Sequence, residues 1–175
     1  MRRLIPVVAA ATSFALIAGC EEQSAEAPPT IRLGDSVCDQ CNMIISDERW
    51  ATATIIDGPR GPEPRLFDDF NCQVNHEVEH PDLEILARWS HSHATGEWVR
   101  TEDASFLMSP NLHTPMGSKV AAFASPSELE AARQELTGDT MTFDVAWKRL
   151  GFAGACCSAD EAESSHPKQE HDDGP

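Results

Sequence analysis

The order of apolar and polar residues predicts strands and a helix in the first half of the chain. Residues 50–57 alternate and are rich in β-branched side chains, which is typical of a strand. Glycines and prolines at 58–62 indicate a turn, and residues 65–67 are the expected hairpin partner. A helix is expected to run to about His80, where a proline follows, and residues 84–90 are the next predicted strand. Helical spacing places on one face Phe70, Val74 and Val78, with Cys72 to the side.

The second half repeats this plan. Residues 98–101 and 106–108 are predicted to be short extended segments, and residues 119–124 a strand. Ser-Pro-Ser-Glu at 125–128 is a capping box with proline at the first helical position, so a helix is expected to run to about Leu136. A last helix is predicted over residues 143–150, ending at Gly151.

The two halves share a local pattern that indicates an internal duplication. In each, a glycine turn leads to a strand that ends in phenylalanine, and a helix begins directly afterwards: Gly61 to Phe67 in the first half, Gly117 to Phe123 in the second. The expected fold is therefore α+β, with two β-β-α-β units and a small, mainly antiparallel sheet. Residues 36–152 are expected to form this domain.

The N-terminus has the features of an export signal. Two arginines precede an apolar run that is too short to remain as a membrane-spanning helix and that ends in small residues. Residues 16–20, Leu-Ile-Ala-Gly-Cys, resemble a bacterial lipobox, which implies removal of residues 1–19 and acylation of Cys20 with palmitate-type chains. An ordinary signal peptide with a chance cysteine is the alternative. We expect an exported lipoprotein, anchored in the membrane and facing the periplasm.

Composition extends this picture at both ends and in the charge. Residues 20–35 are expected to be a lipidated N-terminus and flexible tether, and residues 153–175 an acidic disordered tail. The formal charge of the chain is −16, and removal of Arg2 and Arg3 with the signal makes it more negative. So acidic a surface argues against nucleic acid as a partner and favours cations, basic protein faces or a saline habitat, among which the sequence does not choose.

The Cys38-Asp39-Gln40-Cys41-Asn42-Met43 segment is the sharpest local signal for chemistry. Two thiols at this spacing in a turn can close on one ion, and the thioether of Met43 can join them. Thiolate with thioether is a soft donor set that favours Cu(I). A structural zinc site would need a second pair of ligands at matching spacing, and the sequence has none. A disulfide between Cys38 and Cys41 is the alternative in an exported protein.

Two further segments contribute candidate residues. Asp68 and Asp69 precede the first helix, where they can cap it or lie beside a metal, and Cys72 can be buried or can pair with Cys38 or Cys41. In His113-Thr114-Pro115-Met116-Gly117, an exposed loop methionine is poorly explained as core, so Met116 is a second candidate thioether and His113 a candidate imidazole ligand. Weaker candidates are His76, His80, His91, His93, Cys156 and Cys157. The sequence contains no nucleophile–base pair, phosphate loop or cofactor fingerprint, so no enzyme is expected.

The lipobox, Cys-x-x-Cys-x-Met, Phe-Asp-Asp-x-x-Cys and Thr-Pro-Met-Gly, in this order, resemble the NosL family of copper-binding lipoproteins over about residues 37–150. The resemblance implies a Cu(I) chaperone for maturation of nitrous oxide reductase in denitrification, acting with a membrane transporter complex of the ABC type. It implies two β-β-α-β units and the ligands Cys41, Met43 and Met116, with Cys38 next. Asp68 and Asp69 carry over as loop-organising or metal-adjacent residues.

The chain departs from the family pattern at two positions that are commonly glycine. Asn42 and Asn71 stand there, and asparagine tolerates positive φ better than most residues, so both backbone shapes are expected to survive. Two other interpretations stay open: a disulfide-stapled scaffold lipoprotein that binds no metal, and a zinc or mercury site on the same ligands.

Overall fold

The computed structural model describes residues 23–159, so the signal segment with Cys20 and the tail from residue 160 lie outside the described part. The first unit begins with a 3-10 turn, Glu48–Trp50. It continues through β1 (Thr52–Gly58), β2 (Gly61–Phe67), α1 (Phe70–Glu79), β3 (Ile85–His91) and β4 (Trp98–Arg100). A second 3-10 turn, Thr101–Asp103, leads to β5 (Ser105–Met108), β6 (Val120–Phe123), α2 (Pro126–Glu135), β7 (Asp139–Met141) and α3 (Phe143–Ala159).

The strands form two sheets, and every pair of named strands is antiparallel. The first sheet has the order β2-β1-β3-β4 and the second β6-β5-β7. The three strands of each β-β-α-β unit lie in one sheet, which confirms the predicted fold class and the internal duplication. An isolated bridge between Ser92 and Ala122 joins the two units.

The core lies between the helices and the second sheet and continues beneath the first. Phe70 and Val74 of α1 are buried with Phe106, Val120 and Leu150, and the Phe70 and Phe106 rings stack with their centroids 4.9 Å apart. This packing fixes α1 against both halves of the molecule. The first residue of α1 is therefore buried, and its N-terminal turn is held in place for the chemistry described below.

The structure corrects three local predictions. β2 begins at Gly61 and includes Pro62 and Pro64, which its edge position allows because an edge strand need not donate every N–H group. β7 was not predicted, because a strand of three residues is too short to show an alternation of apolar and polar positions. The last helix does not end at Gly151: α3 continues to Ala159, covering residues 153–159 of the expected tail.

The continuation of α3 has a physical reason. Gly151 faces α1, where an added side-chain carbon would lie 3.6 Å from both Val74 and Val78. Glycine inside a helix costs only about 1 kcal/mol relative to alanine, so packing against α1 decides the conformation.

Candidate metal centre

A small hairpin before the first sheet carries the Cys-x-x-Cys segment. Val37 and Ile44 form an antiparallel bridge, and the N–H group of Cys38 donates to the carbonyl of Met43 at 2.8 Å. The turn between them closes because the Asn42 N–H donates to the Cys38 carbonyl at 3.0 Å and Asn42 adopts a φ of +59°. The expected positive φ at Asn42 is confirmed, and the turn brings Cys41 back over Cys38.

The hairpin is held against the end of β2 by a reciprocal pair of hydrogen bonds. The Asp39 N–H donates to the Leu66 carbonyl at 2.8 Å, and the Leu66 N–H donates to the Asp39 carboxylate at 2.6 Å. Below the hairpin, Cys38 is buried in an apolar cluster that includes Phe67 and Cys72. The hairpin therefore lies beside the β2–α1 corner, which delivers a third cysteine.

Three thiols converge at this corner. The sulfur atoms of Cys38, Cys41 and Cys72 all lie within 4.8 Å of one another, and all three are free cysteines. At a metal–sulfur distance of about 2.3 Å, two sulfurs on one ion are separated by roughly 4.0 Å in a trigonal site and 4.6 Å in a linear one. The thiol cluster can thus hold one metal ion with little movement of the backbone.

The electrostatics of the cluster favour one thiolate at Cys38. A hydrogen bond from the Cys72 S–H group lowers the pKa of Cys38, and backbone N–H groups of the turn add to this, against the opposing effect of burial. The same interaction raises the pKa of Cys72, and burial raises that of Cys41. The cluster therefore presents one thiolate and two thiols. A thiophilic ion can displace the protons of these two thiols when it binds.

Two buried carboxyl groups stand next to the thiols. Burial raises the pKa of Asp68 to about 6, and the adjacent charges of Cys38 and Asp69 act in the same direction. Asp69 occupies the N-cap position of α1, but its side chain makes no capping hydrogen bond. Its Oδ2 atom instead accepts from the N–H groups of Met116 at 2.9 Å and Ser118 at 3.2 Å. The carboxylate that was expected to cap α1 therefore acts as a clamp: it holds the loop of the second unit that carries Met116.

Asn71 completes this clamp. Its side-chain amide donates to the Met116 carbonyl at 3.0 Å. Asn71 lies in the first turn of α1 and has no positive φ, so the prediction of a left-handed conformation at this position was wrong. The helix itself supplies the backbone shape, and the asparagine acts through its side chain. Together, Asp69 and Asn71 fix the Met116 backbone against the start of α1, the helix that also carries Cys72.

The remaining predicted ligands lie on the hairpin and on the clamped loop of the second unit. Met43 follows the Cys-x-x-Cys turn and is 53% exposed, and Met116 is 38% exposed in its clamped loop. His113 is exposed in the same loop and does not belong to the group of potential metal-binding side chains, which among residues 23–151 consists of the three cysteines. The backbone N–H group of Asp68 donates to Cys38, whereas the Asp69 carboxylate is directed to the loop that carries Met116.

Cys72 was expected to be either buried or paired, and the structure makes it the third thiol of the cluster. The signal for this role is indirect: Cys72 follows β2 by one helical turn, and β2 is the strand on which the hairpin is docked. The positions of the strands along the chain can be deduced from periodicity, but the hydrogen bonds between Asp39 and Leu66 cannot. Cys156 and Cys157 lie in the last turns of α3.

The other histidines have structural surroundings. The His76 Nδ1 atom donates to the Gln40 side chain at 3.2 Å, and His80 Nδ1 donates to the His76 carbonyl at 2.8 Å. His91 is buried and its Nδ1 atom donates to the Ala51 carbonyl at 2.9 Å, while His93 packs against Trp50. Burial lowers the pKa of His76, His91 and His93, so the fold disfavours the protonated form of these rings.

The fold and the site define a class of protein: a small α+β domain that gathers thiols at one corner where a soft metal ion can bind. The NosL family model matches residues 30–148, and the chain belongs to the NosL family. A solved structure with a similar fold is the crystal structure of the copper chaperone NosL from Shewanella denitrificans. It is 14% identical, aligns over 68% of this chain and 94% of that chain, and has a TM-score of 0.59. No curated protein matches the chain in sequence.

Family membership confirms the resemblance found in the sequence and the expectation that the chain is not an enzyme. Within residues 23–159, no helix has the length and apolar character needed to cross a bilayer.

Proposed function

We propose that the chain is a copper chaperone that binds Cu(I) through Cys38, Cys41 and Cys72 and hands it to a partner. The observation that carries the proposal is the convergence of three free thiols within 4.8 Å, two of them buried and the third, Cys41, partly exposed. Three sulfur donors suit Cu(I), which prefers soft ligands and low coordination numbers. The exposed thioethers of Met43 and Met116 are the further donors that we propose join or leave the coordination sphere.

Ligand exchange is the mechanism that this arrangement supports. Cys38, held as a thiolate by the Cys72 S–H group, makes the first bond to the incoming ion, and binding of the ion releases the protons of the other thiols. Cys41 is the most exposed of the three cysteines, and Met43 follows it on the same turn. A donor atom of the partner enters from this side, so that the ion passes through shared coordination and never becomes free.

The anchoring and the client of this chaperone follow from the sequence resemblance. Acylation of Cys20 would hold the protein at the periplasmic side of a membrane. Nitrous oxide reductase and its ABC-type transporter complex are the proposed recipients. These parts of the proposal rest on the lipobox and the ordered motifs, and the thiol cluster is compatible with them.

The test is an anaerobic titration of the reduced mature chain with Cu(I) against a chromophoric chelator. We expect one tight equivalent, weakened at least tenfold in Cys41→Ser and in Cys72→Ser. Met43→Leu and Met116→Leu should have smaller effects, and Met108→Leu, in β5, serves as the matched thioether control. Zn²⁺ competing equally at the same thiols would favour the zinc alternative. The proposal fails if the parent does not compete with the chelator, and full oxidation of Cys38 and Cys41 in protein isolated without reductant would then favour the scaffold.

A further inference from the structure

The hairpin and the residues just before it are unusually apolar for an exposed segment. Leu33, Val37, Met43 and Ile44 are each between 46% and 55% exposed. We refer to these four residues as the hairpin face. Val37 and Ile44 are bridge partners, so their side chains lie next to each other on the side of the hairpin that faces away from the buried Cys38 and Ile45. Grouped exposed apolar side chains of this kind mark interaction surfaces.

The hairpin face adjoins the thiol cluster. Met43 lies opposite Cys38 in the hairpin, because the Cys38 N–H donates to the Met43 carbonyl, and Ile44 follows it directly. Cys41, the most exposed of the three thiols, lies on this hairpin between Cys38 and Met43. A partner that takes a metal ion through Cys41 therefore contacts the hairpin.

The charges around the hairpin face are mainly negative. Between Arg32 and Arg49 the sequence contains Asp35, Asp39, Asp47 and Glu48, and of the two flanking arginines Arg49 is paired with Asp47. The whole chain is also strongly acidic, at −16. A face of this composition attracts a surface in which apolar residues are surrounded by basic ones, and it repels acidic surfaces.

We propose that the hairpin face is the docking surface for the metal-accepting protein, and that the acceptor presents apolar residues within a basic rim beside its own soft-metal donors. The inference rests on the proposed function and specifies the chemistry of the partner. A second copy of the chain would bring acidic rim against acidic rim, and an anionic lipid surface would be repelled in the same way. Both are disfavoured by charge, whereas a basic protein face is drawn to the site from a distance.

The experiment uses two fluorescent acceptor peptides with the same Cys-x-x-Cys motif, one flanked by leucine and lysine and the other by leucine and glutamate. Fluorescence anisotropy measures their binding to the apo chain, and stopped flow measures Cu(I) transfer from the loaded chain. The Val37→Ser/Ile44→Ser double variant removes the apolar centre, and Asp35→Asn/Glu48→Gln reduces the rim charge. Val145→Ser, which is 52% exposed on α3, and Asp144→Asn are the matched controls.

We expect the lysine-flanked peptide to bind and accept Cu(I) at least tenfold faster than the glutamate-flanked one at low salt, with the difference decreasing as salt is raised. Both hairpin variants should slow transfer several-fold while their Cu(I) affinity, measured by chelator competition, stays that of the parent. The controls should transfer at the parental rate. Absence of Cu(I) binding by the parent would refute the chaperone function, and the apo-chain anisotropy would still test the surface.

Three results would overturn the proposal. The first is equal binding of the two peptides. The second is a dimer in analytical ultracentrifugation that the Val37→Ser/Ile44→Ser variant dissociates, since the face would then be occupied by a second copy. The third is binding to phosphatidylglycerol vesicles that the same variant abolishes, since the face would then be a membrane contact.

Discussion

Replacement of Asp69 by alanine tests whether the clamp on the second unit belongs to the metal site or only to the fold. The side chain is 1% exposed, and one carboxylate oxygen accepts two backbone N–H groups of the loop that carries Met116. Its other oxygen, Oδ1, has no hydrogen-bond partner in the described structure. Asp69→Ala therefore removes two charge-assisted bonds and one incompletely satisfied buried oxygen.

The size of the effect follows from these contacts. Two hydrogen bonds to a charged acceptor contribute about 1.5–3 kcal/mol each, less the cost of burying the carboxylate, part of which the variant recovers. The Met116 N–H can turn to water because its residue is partly exposed, whereas Ser118 is buried. We expect the free energy of unfolding to fall by about 2–3 kcal/mol, which leaves a domain of ordinary stability folded. With an m-value of about 2 kcal/mol/M, the urea midpoint should decrease by roughly 1–1.5 M.

A double-mutant cycle with Met116→Leu separates the two roles. Urea unfolding of the reduced apo chain gives the stability, and chelator competition gives the Cu(I) affinity. If the clamp acts by positioning the Met116 thioether, Asp69→Ala should weaken Cu(I) binding in the parent and have no further effect in the Met116→Leu background. Additive losses of affinity would refute this reasoning, because the aspartate would then act on the ion without Met116.

Three further predictions concern the fold that carries the site. Because burial keeps the pKa of His91 below its unfolded value of about 6.5, the unfolded state binds the proton more readily. The free energy of unfolding should therefore decrease as pH falls below about 6.5, and His91→Gln should reduce that slope in urea titrations at several pH values; an unchanged slope would contradict the assignment. Asn42→Gly should leave stability within about 0.5 kcal/mol of the parent, whereas Asn42→Val should lose about 1–2 kcal/mol at this positive φ; equal midpoints would argue against that turn. Arg88 binds the Glu77 carboxylate through two nitrogens and lies 4.8 Å from the Trp147 ring centre, so Arg88→Ala should cost about 2–4 kcal/mol and Arg88→Lys distinctly less; similar losses would mean that charge alone matters.

Much of the fold could be predicted because its signals are local. The alternation in β1, the capping box before α2 and the glycine turns that precede Phe67 and Phe123 each depend on a few neighbouring residues. Both glycines adopt positive φ, and both phenylalanines are fully buried, as the proposed duplication requires. The serine cap is confirmed, since the Ser125 hydroxyl accepts from the Glu128 N–H group at 3.2 Å, but the Glu128 carboxylate accepts from the N–H group of Ala124 rather than that of Ser125.

The rest depended on contacts between distant segments. The function of Asp69 could not be read from its place before a helix, because capping and clamping use the same carboxylate and differ only in which N–H groups lie within reach. Cys72 joined the thiol cluster through the docking of the hairpin on Leu66, 27 residues away from Asp39 in sequence. Gly151 was expected to end the last helix, but it packs closely against α1 and the helix continues past it.

The thiol cluster connects a peripheral segment to the body of the domain. Cys38 and Cys41 belong to the hairpin, whereas Cys72 belongs to α1. The hairpin is also attached by the buried side chain of Ile45 and by the hydrogen bonds of Asp39 and Gln40. An ion bound to all three sulfurs would close a covalent-like ring from residue 38 to residue 72 and remove chain entropy from every state in which the hairpin lifts away. Amide exchange along residues 38–45 would slow on loading and quicken on release. The hairpin would then become most mobile just when the ion has left, so an empty molecule could be distinguished from a loaded one by its dynamics alone.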